Sequence, residues 1–204
     1  MDDIGSIDEI RFQAKLAGAN VTELELPSQF RCSGSDGYLA WLDDVLGVRP
    51  TANTMLTGFD FRVVDSPEEL REMIIERNGN NRARIVAGYC WNWISSGKNN
   101  SDVHDIQIGD FGMSWNLGNT STWAVDPESV DQAGCIHTCQ GLEFDYVGVI
   151  VGPDLRFEDG RVVTDASKRA RTDQSLRGIK KLSKDNPKKA QKIADEIIRN
   201  TKLR

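Results

Sequence analysis

The sequence predicts an α/β domain with a mostly parallel sheet flanked by helices. Three observations carry that expectation. Helix-patterned and strand-patterned segments alternate along the chain. The order strand, helix, strand at Phe59–Val64, Ser66–Asn78 and Arg84–Trp91 is that of a parallel crossover unit. A second buried run, Val147–Val151, follows another polar helix start and repeats it.

The elements follow in order. Ser6 is an N-cap with Glu9 three residues on, a capping box for a helix through Ala17 that Gly18 ends. Val21 to Leu26 alternates apolar and polar, a half-exposed strand stopped by Pro27. Tyr38 to Leu46 places Leu39, Leu42, Val45 and Leu46 on one helical face, with Gly47 as the stop. Phe59 to Val64 is a strand. Ser66-Pro67-Glu68-Glu69 combines an N-cap, a first-turn proline and acids at the positive end of the helix dipole. Residues 92–134 break the rhythm and read as an insertion rich in Ser, Asn and Gly, with short strands near Asp105–Ile108 and Met113–Trp115. Phe157 to Val163 is a hairpin turning at Asp159-Gly160. Residues 165–184 read as a mobile basic loop, and Pro187 to Ile198 as a final helix.

Composition bounds the class. The 204 residues, 39% hydrophobic and 27% charged, suffice for one large or two small domains of ordinary globular type. No stretch approaches the roughly 18 apolar residues of a membrane span, and Met1-Asp2-Asp3-Ile4-Gly5 lacks the basic and apolar parts of a secretory signal. A cytoplasmic location is expected. Cys32, Cys90, Cys135 and Cys139 form no Cys-x-x-Cys pair and are expected as free thiols. Cys135, His137 and Cys139 lack zinc-site spacing, so no metal ligand set is expected.

Charge is unevenly spread. Residues 168–204 hold 13 Lys/Arg against 4 Asp/Glu, while residues 1–167 hold 12 against 27. A basic block on an acidic body is either a solvated lysine-rich helix or a contact for a polyanion.

Two constellations could carry chemistry. Leu26-Pro27-Ser28-Gln29-Phe30-Arg31-Cys32 follows a strand and precedes a helix. There an aromatic beside an Arg can stack a base and pair with a phosphate; equally, Phe30 can fill the core and Arg31 a surface salt bridge. In the second, Ile136-His137-Thr138-Cys139-Gln140-Gly141-Leu142-Glu143 precedes a buried strand. Polar groups and a permissive Gly at a sheet edge suit a nucleotide or a phosphate backbone. Trp91, Trp93 and Trp115 either stack unpaired bases or cover the core.

These residues resemble known motifs. Ile136 through Val147 resembles motif V of superfamily 1 helicases, with His137, Gln140, Gly141, Glu143, Phe144, Asp145 and Val147 matching. The family's leading Thr falls on Cys135, and Thr138 occupies a variable position. Gln29-Phe30-Arg31 resembles motif IV. Together with Gly34-Ser35-Asp36-Gly37-Tyr38, Gly88-Tyr89-Cys90-Trp91 and Gly152-Pro153-Asp154-Leu155, the chain resembles bacterial P-loop proteins related to the helicase-like part of Schlafen proteins. The resemblance covers nearly the whole chain. It implies one RecA-like (P-loop NTPase-type) domain, the second of a two-domain motor. It implies that Phe30 packs on adenine, that Arg31 reaches the γ-phosphate as the catalytic residue, and that Gln29, Gly141 and Glu143 complete the nucleotide contacts. It implies that His137, Thr138 and Gln140 touch single-stranded nucleic acid.

The chain contains no Gly-x-x-x-x-Gly-Lys-Ser/Thr loop and no motif VI arginine finger. ATP with Mg²⁺ is therefore expected to be bound mainly by a first RecA-like domain of the same protein, with this chain as a motor-domain fragment. The expected activity is that of an ATP-dependent DNA or RNA helicase or translocase. The alternative is an ATP- or GTP-switched interaction protein that does not unwind. An arginine finger is worth about 10³–10⁵ in rate, so the purified chain alone should hydrolyse ATP negligibly. Hydrolysis by the chain that vanishes in Arg31→Ala would overturn this expectation.

Overall fold

The computed structural model describes residues 7–24, 36–51, 59–94, 100, 102–116, 122–139 and 141–203. The chain divides into two units, residues 1–34 and 35–204. In the first, α1 (Ile7–Leu16) carries Asp8 and Glu9 in its first turn and Lys15 in its last, as the dipole favours. Gly18 ends the turn that follows α1, with a φ of 67° that suits glycine. Residues 21–24 form no strand: they have no ladder partner, and Val21 and Leu24 are exposed.

The second unit is built on a five-stranded sheet. Its strands are β1 (Ala83–Ala87), β2 (Ile106–Ile108), β3 (Phe111–Trp115), β4 (Gln132–Gly134) and β5 (Tyr146–Ile150), in the order β2-β3-β4-β1-β5. β3, β4, β1 and β5 run parallel, and β2 pairs antiparallel with β3 at one edge. The sheet is thus mixed and mostly parallel, flanked by helices. Ile85 lies between Ala133 and Gly148 in register, and Val86 between Gly134 and Val149.

β1 is central because its residues can be buried on both faces: Ala83, Arg84, Ile85 and Ala87 are all buried. It ends at Ala87, shorter than the expected run to Trp91, because Cys90 N–H turns back to the Gly88 carbonyl at 2.8 Å. α3 (Pro67–Arg77) packs on β1 and β5. Its start matches the sequence expectation, with Ser66 Oγ accepting from Glu69 N–H at 3.1 Å. Leu70 and Ile74 come so close to Gly148 that a Cβ there would lie 3.0 Å from Ile74. Glycine at that position lets the helix seat on the sheet.

Residues 59–64 were expected as a strand of this sheet and are not one. Their aromatics are engaged elsewhere. The Phe59 ring stacks on Tyr38 of α2 (Asp36–Val45) at 3.8 Å, and Phe61 meets Trp41 edge-on at 4.7 Å. Residues 92–134, set apart by composition as an insertion, supply three strands of the sheet, β2, β3 and β4. The short strands expected near Asp105–Ile108 and Met113–Trp115 are β2 and β3; β4, and the place of all three in the main sheet, carried no periodic signal.

After the sheet, β6 (Leu155–Glu158) and β7 (Arg161–Thr164) form the expected hairpin. Asp159 and Gly160 both have positive φ, 50° and 76°, as a two-residue primed turn requires. The segment expected as a mobile loop is ordered instead. Asp165 caps a 3₁₀ turn at Ala166–Lys168 and Asp173 caps another at Gln174–Leu176. In each, the Asp side chain accepts from the N–H and hydroxyl of a Ser two residues on. α5 (Ile179–Asp185) and α6 (Pro187–Leu203) then pack against each other. Among the described residues no helix is long and apolar enough to cross a membrane.

One buried cation holds the entrance of the sheet. Arg84 is 0% exposed, and its guanidinium donates to Asn78 and Asn81 Oδ1 and to the carbonyls of Ala83, Ala124 and Asp126. It thereby fastens the turn before β1 to the turn before β4. Arg84→Leu strips its donors from Asn81 Oδ1 and the Ala124 carbonyl, while Asn78 Oδ1 keeps the Ala83 N–H and the Asp126 carbonyl keeps Ser129, at about 1–3 kcal/mol for each acceptor that finds no water. The expected loss is about 3 kcal/mol of stability in urea unfolding. A loss below about 1 kcal/mol would show that the turns hold without it.

Candidate functional site at the two edges of the sheet

Parallel strands leave their carboxyl ends at one edge, where α/β proteins place ligands. Four segments emerge there: Gly88–Trp91 after β1, Asn116 after β3, Cys135–Cys139 after β4, and Val151–Asp154 after β5. α4 (Ile136–Cys139) is a single helical turn, with Thr138 and Cys139 N–H bonded to the Cys135 carbonyl at 2.9 and 3.1 Å.

A chain of polar groups runs beneath that turn. The Thr138 hydroxyl donates to Asn116 Oδ1 at 3.1 Å. Its single hydrogen is then spent, so the 3.2 Å contact between Cys135 Sγ and Thr138 Oγ1 is a thiol donating to a hydroxyl oxygen. The Tyr89 hydroxyl in turn lies on Cys135. Burial first, then this hydrogen bond, push the Tyr89 phenol above its usual range. Asn116 is 3% exposed, and its Nδ2 has no partner among the described residues.

The structure separates residues that the sequence grouped. His137 is exposed at the carboxyl edge, its ring 6.1 Å from the Tyr89 ring. Thr138 is half-buried and its hydroxyl is committed inward. Gly141, with φ 85°, begins the return toward the opposite edge. Glu143 therefore lies at the amino edge, just before β5, where Asp145 N–H bonds to the Arg82 carbonyl at 2.8 Å. Glu143 is exposed and lines a cleft of about 330 Å³ with Asn80, Asn81, Arg82, Val125 and Phe144. Residues 136–139 thus stand at one edge of the sheet and residues 143–145 at the other. Gln29, Phe30, Arg31 and Gln140 lie outside the described residues.

The tryptophans divide. Trp115 is 0% exposed and belongs to the core. Trp93 is half-buried and stacks on it, with centroids 5.6 Å apart and planes 10° from parallel. Trp91 donates Nε1–H to the Gln107 carbonyl at 3.2 Å.

A second cluster at the carboxyl edge went unread in the sequence. Arg169 donates from Nε to Asp173 at 2.7 Å and lies 3.7 Å from Asp154, and all three side chains are under 10% exposed. Asp154 also accepts from the Cys90 thiol at 2.9 Å. Burial, then the Asp154 hydrogen bond, push the Cys90 thiol up to about 12. Gly152 is tightly placed, since a Cβ there would collide with Cys90 Sγ. Gly88-Tyr89-Cys90-Trp91 and Gly152-Pro153-Asp154-Leu155 stood out in the sequence only as segments of a resemblance. The structure shows that they meet.

The family model described as Schlafen group 3, DNA/RNA helicase domain, matches residues 1–202. The chain belongs to this family. Membership makes it a helicase-like domain of the Schlafen type. An uncharacterized protein of Saccharomyces cerevisiae is 24% identical over 152 residues. That match covers 65% of this chain and 33% of the yeast protein, so the chain spans about a third of its relative's length. No solved structure matches. In this Schlafen-type domain the motif-like stretch at 136–147 has described residues at both edges of the sheet.

The Cys90 thiol gives the site a measurable signature. Its folded pKa is raised, so the unfolded chain loses this proton first as pH rises. Stability from this group is therefore complete below about pH 8.5 and declines toward about pH 12. Cys90→Ser keeps a donor for Asp154 but does not titrate there. The urea midpoint of the variant should fall less than that of the native chain between about pH 8 and about pH 10. Equal falls would show that Cys90 does not carry the alkaline loss.

Proposed function

We propose that this chain is the second RecA-like domain of a superfamily 1-type motor that couples ATP hydrolysis to movement along single-stranded nucleic acid. The supporting observation is the placement of the 136–147 stretch. Its exposed His137 sits at the carboxyl edge and its exposed Glu143 at the amino edge of one parallel sheet. A motor needs two ligands held by one connected element, and this stretch offers one contact point to each.

The residues present suit those roles. His137 donates from an exposed ring to a strand phosphate, while Thr138 holds the turn through Cys135 and Asn116 rather than reaching outward. Glu143 accepts from a ribose hydroxyl. Gly141 keeps the intervening backbone open, with nothing within 4 Å of where its Cβ would be. Phe30 and Arg31 would serve the base and the γ-phosphate with Gln29 as a further nucleotide contact, and Gln140 would touch the strand with His137. ATP with Mg²⁺, held mainly by a first motor domain that carries the phosphate loop, would supply the phosphoryl transfer that drives movement. The protein would work in the cytoplasm.

The test is hydrolysis by the intact parent protein, with and without single-stranded DNA and RNA. Stimulation by one of them is expected. His137→Ala should lower that stimulation about tenfold and leave basal hydrolysis in place, whereas Glu143→Ala should raise KM for ATP. Hydrolysis indifferent to both strands would replace the motor with a nucleotide switch.

A further inference from the structure

We propose that the helical hairpin α5–α6 is a sequence-independent docking surface for a nucleic-acid phosphodiester backbone. The proposal shares with the motor reading only its class of partner, since backbone binding needs no hydrolysis. Lys180, Lys181 and Lys184 of α5 and Lys188, Lys189 and Lys192 of α6 are all exposed. Among the described residues only Lys192 has an ion-pair partner, Glu196 at 4.0 Å. Asp185 is the one acid between Lys180 and Lys192.

Unpaired lysines concentrated on one hairpin differ from an ordinary solvated helix, where acids alternate with bases at i,i+4. The rest of the chain accentuates the contrast. Residues 1–167 carry 27 Asp/Glu against 12 Lys/Arg, so a polyanion is repelled from the body and drawn to this surface.

The hairpin is also anchored where a strand would pass. Arg169 is held by Asp154 and Asp173, and Ala170 N–H bonds to the Tyr89 carbonyl at 2.7 Å. Tyr89 is the neighbour of His137 at the carboxyl edge. α6 then packs on the turns at Ala166–Lys168 and Gln174–Leu176 through its buried Ala190 and Ala194.

The chemistry of the surface selects among anions. The small apolar residues of α6 face inward, and residues 179–197 contain no exposed large hydrophobic side chain. A helix that enters a bilayer needs such a face, so a lipid surface is disfavoured. The hairpin has no aromatic residue to stack a base, so it reads the backbone alone. Lysine heads on flexible stems release counterions from phosphates whatever the sequence.

The test is fluorescence anisotropy of the purified chain with labelled oligo(dT) and oligo(U) over a salt series. The variant Lys180→Gln, Lys184→Gln, Lys188→Gln should bind at least about tenfold more weakly. Its slope of log affinity against log salt should be smaller by about 2, at roughly 0.7 per lost contact. Lys15→Gln, Arg49→Gln, Arg62→Gln removes the same charge elsewhere and should keep the native slope. A hairpin variant with native affinity and slope, or equal losses in both triple variants, would overturn the proposal. So would binding to anionic phospholipid vesicles with no binding to oligonucleotides. Lysine-dependent binding without strand-stimulated hydrolysis in the parent would uphold this proposal and sink only the motor.

Discussion

The parallel pairing of β1 with both β4 and β5 is the constraint on which everything else rests. A strand paired on both sides and covered on both faces must be apolar, small or fully hydrogen-bonded. Ala83, Ile85 and Ala87 meet the first conditions, and Arg84 approaches the last, its two terminal nitrogens donating to five acceptors while Nε has no partner among the described residues. Because β1 is fixed, its exit fixes Tyr89 and Cys90, and its entrance fixes Arg82 and the turn that receives Asp145. Both ends of the candidate site are thus referenced to one strand.

The second level of order is electrostatic. Arg169 brings two buried carboxylates into one cluster, and removing a single partner would strand charge in a dry place. Such a cluster contributes definition more than net stability. It sets where the chain leaves the sheet after the β6–β7 hairpin, and so where the basic hairpin begins. The Cys90 thiol, kept protonated beside Asp154, belongs to the same fastening.

Sequence pattern was most readable where one principle dominated. The Ser66 cap and the Asp159-Gly160 turn each carry a local signal and are present; the apolar run of β5 does form a strand, but at the sheet edge, where Val147, Val149 and Val151 are exposed rather than buried as expected. Pattern failed where tertiary contacts decide. Phe59–Val64 has strand composition, but its rings are taken by α2. The short strands expected near Asp105–Ile108 and Met113–Trp115 are present as β2 and β3, but β4, and the entry of all three into the main sheet, rest on backbone pairing that periodicity does not register. The two Asp-x-Ser turns after β7 were legible in principle, since an Asp two residues before a Ser favours a local cap. Net basic charge hid them. At the site, the sequence identified the stretch but not its course, because a list of residues does not say on which edge each will fall. Asn116, Arg169 and the pairing of Cys90 with Asp154 had no linear signal.

α4 has a mechanical consequence. A helix of one turn has almost no cooperative reserve, since nucleation is costly and few bonds reward it. Drawn out from about 1.5 to about 3.3 Å per residue, its four residues would lengthen by roughly 7 Å. The turn that carries His137 can therefore be drawn out at small cost, and the Cys135–Thr138–Asn116 hydrogen bonds are what keep it closed.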